Sequence, residues 1–183
     1  MNKDRILEIS KRLGLSHIGS NLNALPVLEE IYNQNPFRVV MSNAHAHLAH
    51  LVVFDPLHAE EKIKYDIHCD RKAGCHASGG SLGHGIGIGI GMALVHRDKE
   101  IFVTVSDGSL MEGSEWEALR IANDMKLNNL HIYACLNGYT ALAKIDRQKL
   151  GSRLKAFFPG INIRLTYNGL PELDGVNGHY DKL

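Results

Sequence analysis

Apolar residues at Ile6, Ile9, Leu13 and Leu15 recur at the spacing of one helix face, and ALPVLEEIY over residues 24–32 repeats the pattern with Asn21 or Asn23 as its cap. The chain is therefore predicted to open with two helices. FRVVMSN changes the period: it predicts a short buried strand over residues 37–41 and then a helix over 46–54. Residues 55–77 are charged, and most of them carry no assignable periodicity. In SGGSLGHGIGIGIGMALV, Gly79, Gly80 and Gly83 predict a tight turn, and the small residues beyond it predict a helix. Glycine inside a helix costs up to about 1 kcal/mol relative to alanine, so this repetition predicts that other backbone packs closely there.

The clearest pattern follows. IFVTVSDG is a buried strand ending in an acid and a glycine, GSEWEALRIANDMKL is an amphipathic helix, and LHIYACLN is a second buried strand. A strand, helix, strand unit implies parallel pairing with a right-handed connection, so both strands end on the same edge of the sheet. The fold class is α/β, a mostly parallel sheet with helices on both faces. Ligands of such sheets bind at the carboxyl ends of the strands, where Asp107 and Asn137 stand. A further helix over 146–157, a strand over 161–166 and a Gly- and Asn-rich tail complete the reading, with no internal repeat, low-complexity tract or linker.

Composition narrows the class. With 183 residues, 44% of them hydrophobic, one core is expected, and residues 1–183 read as a single domain. Twenty Lys and Arg balance twenty Asp and Glu, so no net field favours nucleic acid or an anionic membrane. The start, MNKDRILEIS, lacks the apolar core of a signal peptide, and with Cys69, Cys75 and Cys135 it suggests a reducing cytoplasm. The longest apolar stretch, residues 86–95, is far short of the roughly 20 residues of a membrane span. Eleven histidines invite a zinc reading, above all His45, His47 and His50 in SNAHAHLAH. Against zinc, no acidic or fourth ligand stands nearby at a recognisable spacing, and the cysteines form no CxxC pair.

The candidate chemistry lies at the strand ends. A carboxylate (Asp107), an amide oxygen (Asn137) and a main-chain carbonyl just beyond are hard donors that suit Mg²⁺, which fills its remaining positions with water and phosphate oxygens. Gly108 removes a side chain where a phosphate must approach, and the helix starting near Gly113 directs partial positive charge toward the anion. Taken singly, Asp-Gly after a strand and Asn at a strand end are compatible with a turn and a helix cap.

SDGSLMEGSEWEAL with CLNGY resembles the thiamine-diphosphate motif, a GDG followed some thirty residues later by an Asn, and within that superfamily it resembles transketolase. The acid is followed by an LxEG-like pattern at Leu110, Glu112 and Gly113. LSHIGSNLNALPVLEEIY is similar to the SGHPG segment of the transketolase N-terminal domain, SNAHA to its SNGHA, and GGSLGHGIGIGIGMAL to its GPLGQG segment. The blocks run in family order over most of residues 15–140. The resemblance implies thiamine diphosphate and Mg²⁺ as cofactors, with Asp107, Asn137 and the Tyr139 carbonyl as magnesium ligands and Gly108 against the diphosphate. It implies that Glu112 and His45 lie near the cofactor and that Gly80, Ser81 and Leu82 receive the aminopyrimidine. His17 is implied to face the reacting carbon or the substrate hydroxyls, and His68, in IHCD, stands about where the family's GHPE histidine does.

The sequence departs from the family at Ser106, which replaces the first glycine of GDG, and at Gly80-Ser81, which replaces Gly-Pro. His179, in a GHY tail, is not aligned with the family's other diphosphate histidine. Nothing after Asn137 is long enough for the family's second domain, whose glutamate protonates the aminopyrimidine. The resemblance therefore implies a split transketolase, of α2β2 or similar assembly, in which a separate pyrimidine-domain chain supplies that acid. Such an enzyme moves a two-carbon ketol unit between sugars or sugar phosphates. A component of a 2-oxo acid decarboxylase or dehydrogenase, and a non-catalytic module binding the cofactor or a partner, remain as alternatives.

Overall fold

A computed structural model of the chain describes residues 1–64, 67–175 and 180–182. Helix α1 (Asn2–Leu13) ends where Gly14 takes a left-handed conformation at φ 60° and its N–H returns to the carbonyl of Ser10. Helix α2 (Ile18–Tyr32) starts earlier than the pattern predicts. Asn21 and Asn23 are interior residues whose side-chain amides donate to the carbonyls of His17 and Gly19, at 2.9 and 2.8 Å, rather than capping the helix. Pro26 lies inside the same helix. Two asparagines and a proline are signals of a helix start, and tertiary packing overrides them here.

Strand β1 (Arg38–Met41) leads through a 3-10 turn (Ala44–Ala46) into α3 (His47–Phe54). The stretch over 55–77 that carries no periodic signal contains a five-residue helix, α4 (Ala59–Ile63), and a 3-10 turn (Arg71–Ala73). Both are too short for periodicity to show. Then come α5 (Gly85–Val95), β2 (Ile101–Ser106), α6 (Gly113–Asp124) and β3 (Leu130–Leu136). Helix α7 (Arg147–Phe157) is capped by Asp146, whose carboxylate accepts from the N–H groups of Gln148 and Lys149, and β4 (Asn162–Leu165) follows.

Among the described residues the four strands form one sheet in chain order, β1-β2-β3-β4, and every pairing is parallel. Alternate side chains enter two cores. Phe102, Tyr133 and Cys135 pack with α1 to α4 on one face. Val103, Val105, Ile132, Ala134 and Leu136 pack with α5 to α7 on the other. The period of two along each strand thus places helices on both faces, as the sequence predicts.

The glycines of α5 divide by face. A Cβ on Gly85 would stand 2.4 Å from the Ser42 Cβ and 2.7 Å from its Cα, and one on Gly89 would stand 2.4 Å from Val103 Cγ2. These two glycines let the helix lie directly on β1 and β2. Gly87 and Gly91 face open space, with nothing within 4 Å of an added Cβ.

Candidate functional site

The carboxyl ends of β2 and β3 meet through one side chain. Asp107, just after β2, is buried at 1% exposure. Its carboxylate accepts from the N–H of Asn137 at 2.8 Å and, through the other oxygen, from the N–H of Gly138 at 3.4 Å. Asn137 in turn accepts the N–H of Tyr139 on its side-chain oxygen at 2.9 Å, and Gly138 makes the turn possible at φ 92°. Burial pushes the Asp107 carboxyl up to about 6, while the N–H groups of Asn137 and Gly138 pull it down. The shift is upward on balance: the fixed positive ends around Asp107 do not compensate a full negative charge. A divalent cation is the kind of group that would.

Three histidines converge beside these strand ends. His17, the residue before α2, sits in the left-handed region at φ 62°, an uncommon conformation outside glycine that costs on the order of 1 kcal/mol. Its Nδ1 is 2.7 Å from the Ser16 hydroxyl. The His17 ring lies 5.5 Å from that of His45 and 6.1 Å from that of His68, centroid to centroid, and 5.9 Å from the ring of Tyr180. Asn21 ties two of these segments together, its amide donating to the carbonyls of His17 and His45, while its oxygen accepts the Ala49 N–H.

Histidines and strand ends enclose one cavity of about 250 Å³. Its wall includes His17, His45, His68, Gly80, Leu82, Gly108, Asn137 and Tyr139, eight residues that the sequence singles out. Asp107 does not line it; its hydrogen-bond partner Asn137 does. Ser81 and Glu112 stand apart from it. Ser81 lines a neighbouring groove with His84 and Ile88, and Glu112 is exposed at the start of α6, beside Gly83. His179 lies outside the described residues.

The structure adds residues that the sequence does not flag. Glu115 of α6 is fully buried, and its carboxylate accepts from the Ser42 hydroxyl and from the N–H of Ile86 at 3.2 Å, so it joins the end of β1 to the start of α5. Burial raises its pKa, opposed by those donors. Asn43, in the cavity wall, accepts from the Thr104 hydroxyl at 2.6 Å. The segment after β4 closes the cavity with Leu173, Asp174 and Gly175. It presses so near α2 that a Cβ on Gly19 would stand 2.7 Å from the Leu173 carbonyl oxygen. Long-range contacts of this sort leave no local periodic signal.

The hard oxygen donors at Asp107 and Asn137, the uncompensated carboxylate and the glycines in the wall fit a Mg²⁺-bridged diphosphate. Among the described residues no helix is long and apolar enough to cross a membrane.

No protein-family model matches the chain. It is 30% identical over 176 residues to an apulose-4-phosphate transketolase subunit of Phocaeicola vulgatus, covering 81% of this chain and 59% of that protein. It is also 30% identical over 168 residues to the 6-deoxy-6-sulfo-D-fructose transketolase subunit SqwG of a Clostridium species, covering 73% and 61%. Among solved structures, a transketolase of Pichia stipitis in complex with sedoheptulose-7-phosphate matches with a TM-score of 0.70 at 20% identity, over 91% of this chain and 35% of that one, a likeness of fold. The chain thus spans about three-fifths of each of these two relatives and about a third of the solved chain.

Proposed function

We propose, from the premise that this chain is homologous in sequence and fold to the N-terminal domain of transketolases, that it forms the Mg²⁺- and diphosphate-holding half of a split transketolase. Asp107, Asn137 and the Tyr139 carbonyl would hold the metal, with Gly108 leaving room for the diphosphate. When bound, thiamine diphosphate supplies the nucleophilic ring carbon on which ketol transfer depends. His17 would face the reacting carbon or the substrate hydroxyls and exchange protons there at its imidazole nitrogens, His45 would lie beside the diphosphate, and His68 would join them in the catalytic set. The observation that carries this reading is the hydrogen bonding of Asp107 to the backbone of Asn137 and Gly138, at the edge of a cavity walled by those histidines.

In this reading the proton-donating acid for the aminopyrimidine comes from a second chain. The outer face of α5 supports such a partner. Gly87 and Gly91 present bare backbone, Ile88 is 37% and Val95 77% exposed, and the groove that Ile88 lines also holds Gly80 and Ser81. Backbone that is open along a helix accepts close packing of another helix without side-chain ordering.

The test is co-expression with the chain encoded beside it, followed by an assay of ketol transfer from a ketose donor to an aldose acceptor with Mg²⁺ and thiamine diphosphate. Activity that needs both chains is expected. Absence of transfer with every neighbouring chain carrying the missing acid would end the proposal.

A further inference from the structure

The histidine-rich run SNAHAHLAH divides between two sites. His45 turns to the cavity, while His47 is buried on the far side of the same turn. There one ring nitrogen of His47 and the sulfurs of Cys69 and Cys75 all lie within 4.8 Å of one another, and all three residues are buried. A fourth donor stands at the edge of this cluster: Nδ1 of His50 is 3.7 Å from Cys75 Sγ. Its other ring nitrogen, Nε2, is 2.7 Å from the Tyr32 hydroxyl. That is the outer partner a metal-bound imidazole commonly has, fixing its tautomer and orientation.

We propose that His47, Cys69 and Cys75 bind a zinc ion, with His50 completing a tetrahedral donor set.

Geometry and chemistry agree on this ion. With zinc–sulfur bonds near 2.3 Å and zinc–nitrogen bonds near 2.0 Å, a tetrahedral site has sulfur–nitrogen edges of about 3.5 Å and sulfur–sulfur edges of about 3.8 Å. The 3.7 Å separation of Cys75 and His50 is already such an edge, the donors of His47, Cys69 and Cys75 would draw together by about an ångström, and His50 would have to turn inward to join them. Two thiolates and two neutral imidazoles neutralise the divalent charge, as a buried site requires. Zinc entry releases two thiol protons to solvent. Soft thiolates with imidazole select zinc over the hard ions suited to Asp107 and Asn137.

The sequence hides this arrangement because its donors come from two places. His47 and His50 lie one turn apart on α3, and Cys69 and Cys75 bracket the 3-10 turn at residues 71–73. The two segments meet where the Cys69 N–H donates to the carbonyl of Ala44 at 3.0 Å. A bound zinc would staple α3 to the 69–75 loop, and His45 and His68 flank the staple at positions two and one residues from its ligands. The ion is structural in this inference, and it does not depend on the function proposed above.

The experiment is metal analysis of the full chain grown with added zinc, together with Co²⁺ replacement. One zinc per chain is expected, as are the thiolate-to-cobalt charge-transfer band and strong d–d bands of a tetrahedral ion. Cys69→Ser and Cys75→Ser should each weaken zinc at least about 100-fold, more than loss of an outer-shell partner does. Asp107→Ala should leave zinc content unchanged, which separates this site from the magnesium site. Wild-type protein without stoichiometric zinc, a cobalt spectrum lacking the thiolate band, or a Cys69–Cys75 disulfide in protein kept under reducing conditions would each overturn the proposal. Zinc retained in both serine variants would do so as well. Should those variants fail to fold, the wild-type cobalt spectrum decides alone.

Discussion

Asn21 binds the carbonyl of His45 at 3.3 Å while donating to that of His17 at 2.9 Å, from a buried position inside α2. One carboxamide therefore sets the spacing between two segments that each carry a cavity histidine. Its oxygen is also the acceptor for the Ala49 N–H at 2.8 Å, near the start of α3.

Asn21→Ala removes the side-chain acceptor of the buried Ala49 N–H. Each unsatisfied buried group costs about 1–3 kcal/mol, so thermal unfolding should show a destabilisation of that order. If the proposed function holds, ketol transfer by the complex with its partner should fall about tenfold or more, since small misplacement of positioned groups is costly. Steady-state kinetics check this, with the loss expected in kcat.

Asp107→Ala removes the carboxylate at which the ends of β2 and β3 meet. Calorimetry with Mg²⁺ and thiamine diphosphate should show binding weakened by at least about 100-fold, the scale of losing a charged ligand. Association with the partner chain should persist in gel filtration. An Asp107→Ala complex that keeps full transfer activity would assign the chain a different role.

Glu115 predicts a pH dependence. Burial raises its folded-state pKa, so the fold prefers the protonated acid. Its stabilising contribution is full below the ordinary carboxylate range near 4.5 and is lost as pH rises through the folded value. Glu115→Gln cannot ionise. The melting temperature of the variant minus that of wild type should therefore be larger at pH 7 than at pH 4.5, and paired thermal melts measure it.

Gly91→Arg places a charged side chain where an added Cβ meets nothing within 4 Å. The chain alone should remain folded, with a melting temperature within a few degrees of wild type, because the site is solvent-facing. Co-purification with the partner should be lost. By contrast Gly85→Ala, whose Cβ would meet Ser42 at 2.4 Å, should destabilise the isolated chain by about 1–3 kcal/mol, as overpacking does.

The two central strands, β2 and β3, were legible because they are buried on both faces. IFVTVS and LHIYACL are continuous apolar runs, each followed by a residue with an obvious turn function, and parallel pairing followed from the helix between them. The start of α2 was not legible, since Asn21, Asn23 and Pro26 imitate a helix beginning while in fact serving tertiary contacts inside the helix. Eight residues of the cavity wall could be named in advance, among them Asn137 and the three histidines, which stand in motif order. Glu115 could not, because its partners Ser42 and Ile86 are far away in sequence and one glutamate within an amphipathic helix looks like any solvated residue. The His47, Cys69 and Cys75 cluster escaped for the same reason: a five-residue gap between the cysteines resembles no usual zinc spacing, and the histidine arrives from α3 while the cysteines lie in a loop.

The strand order carries a consequence for how the molecule is built. Because the sheet order follows the chain order, each strand has its neighbour synthesised just before it, and no strand has to be inserted later between two that already pair. The sheet grows by addition at a single advancing edge. The Asp107 and Asn137 edge is thus encoded ahead of the segment behind β4 that closes the cavity over it.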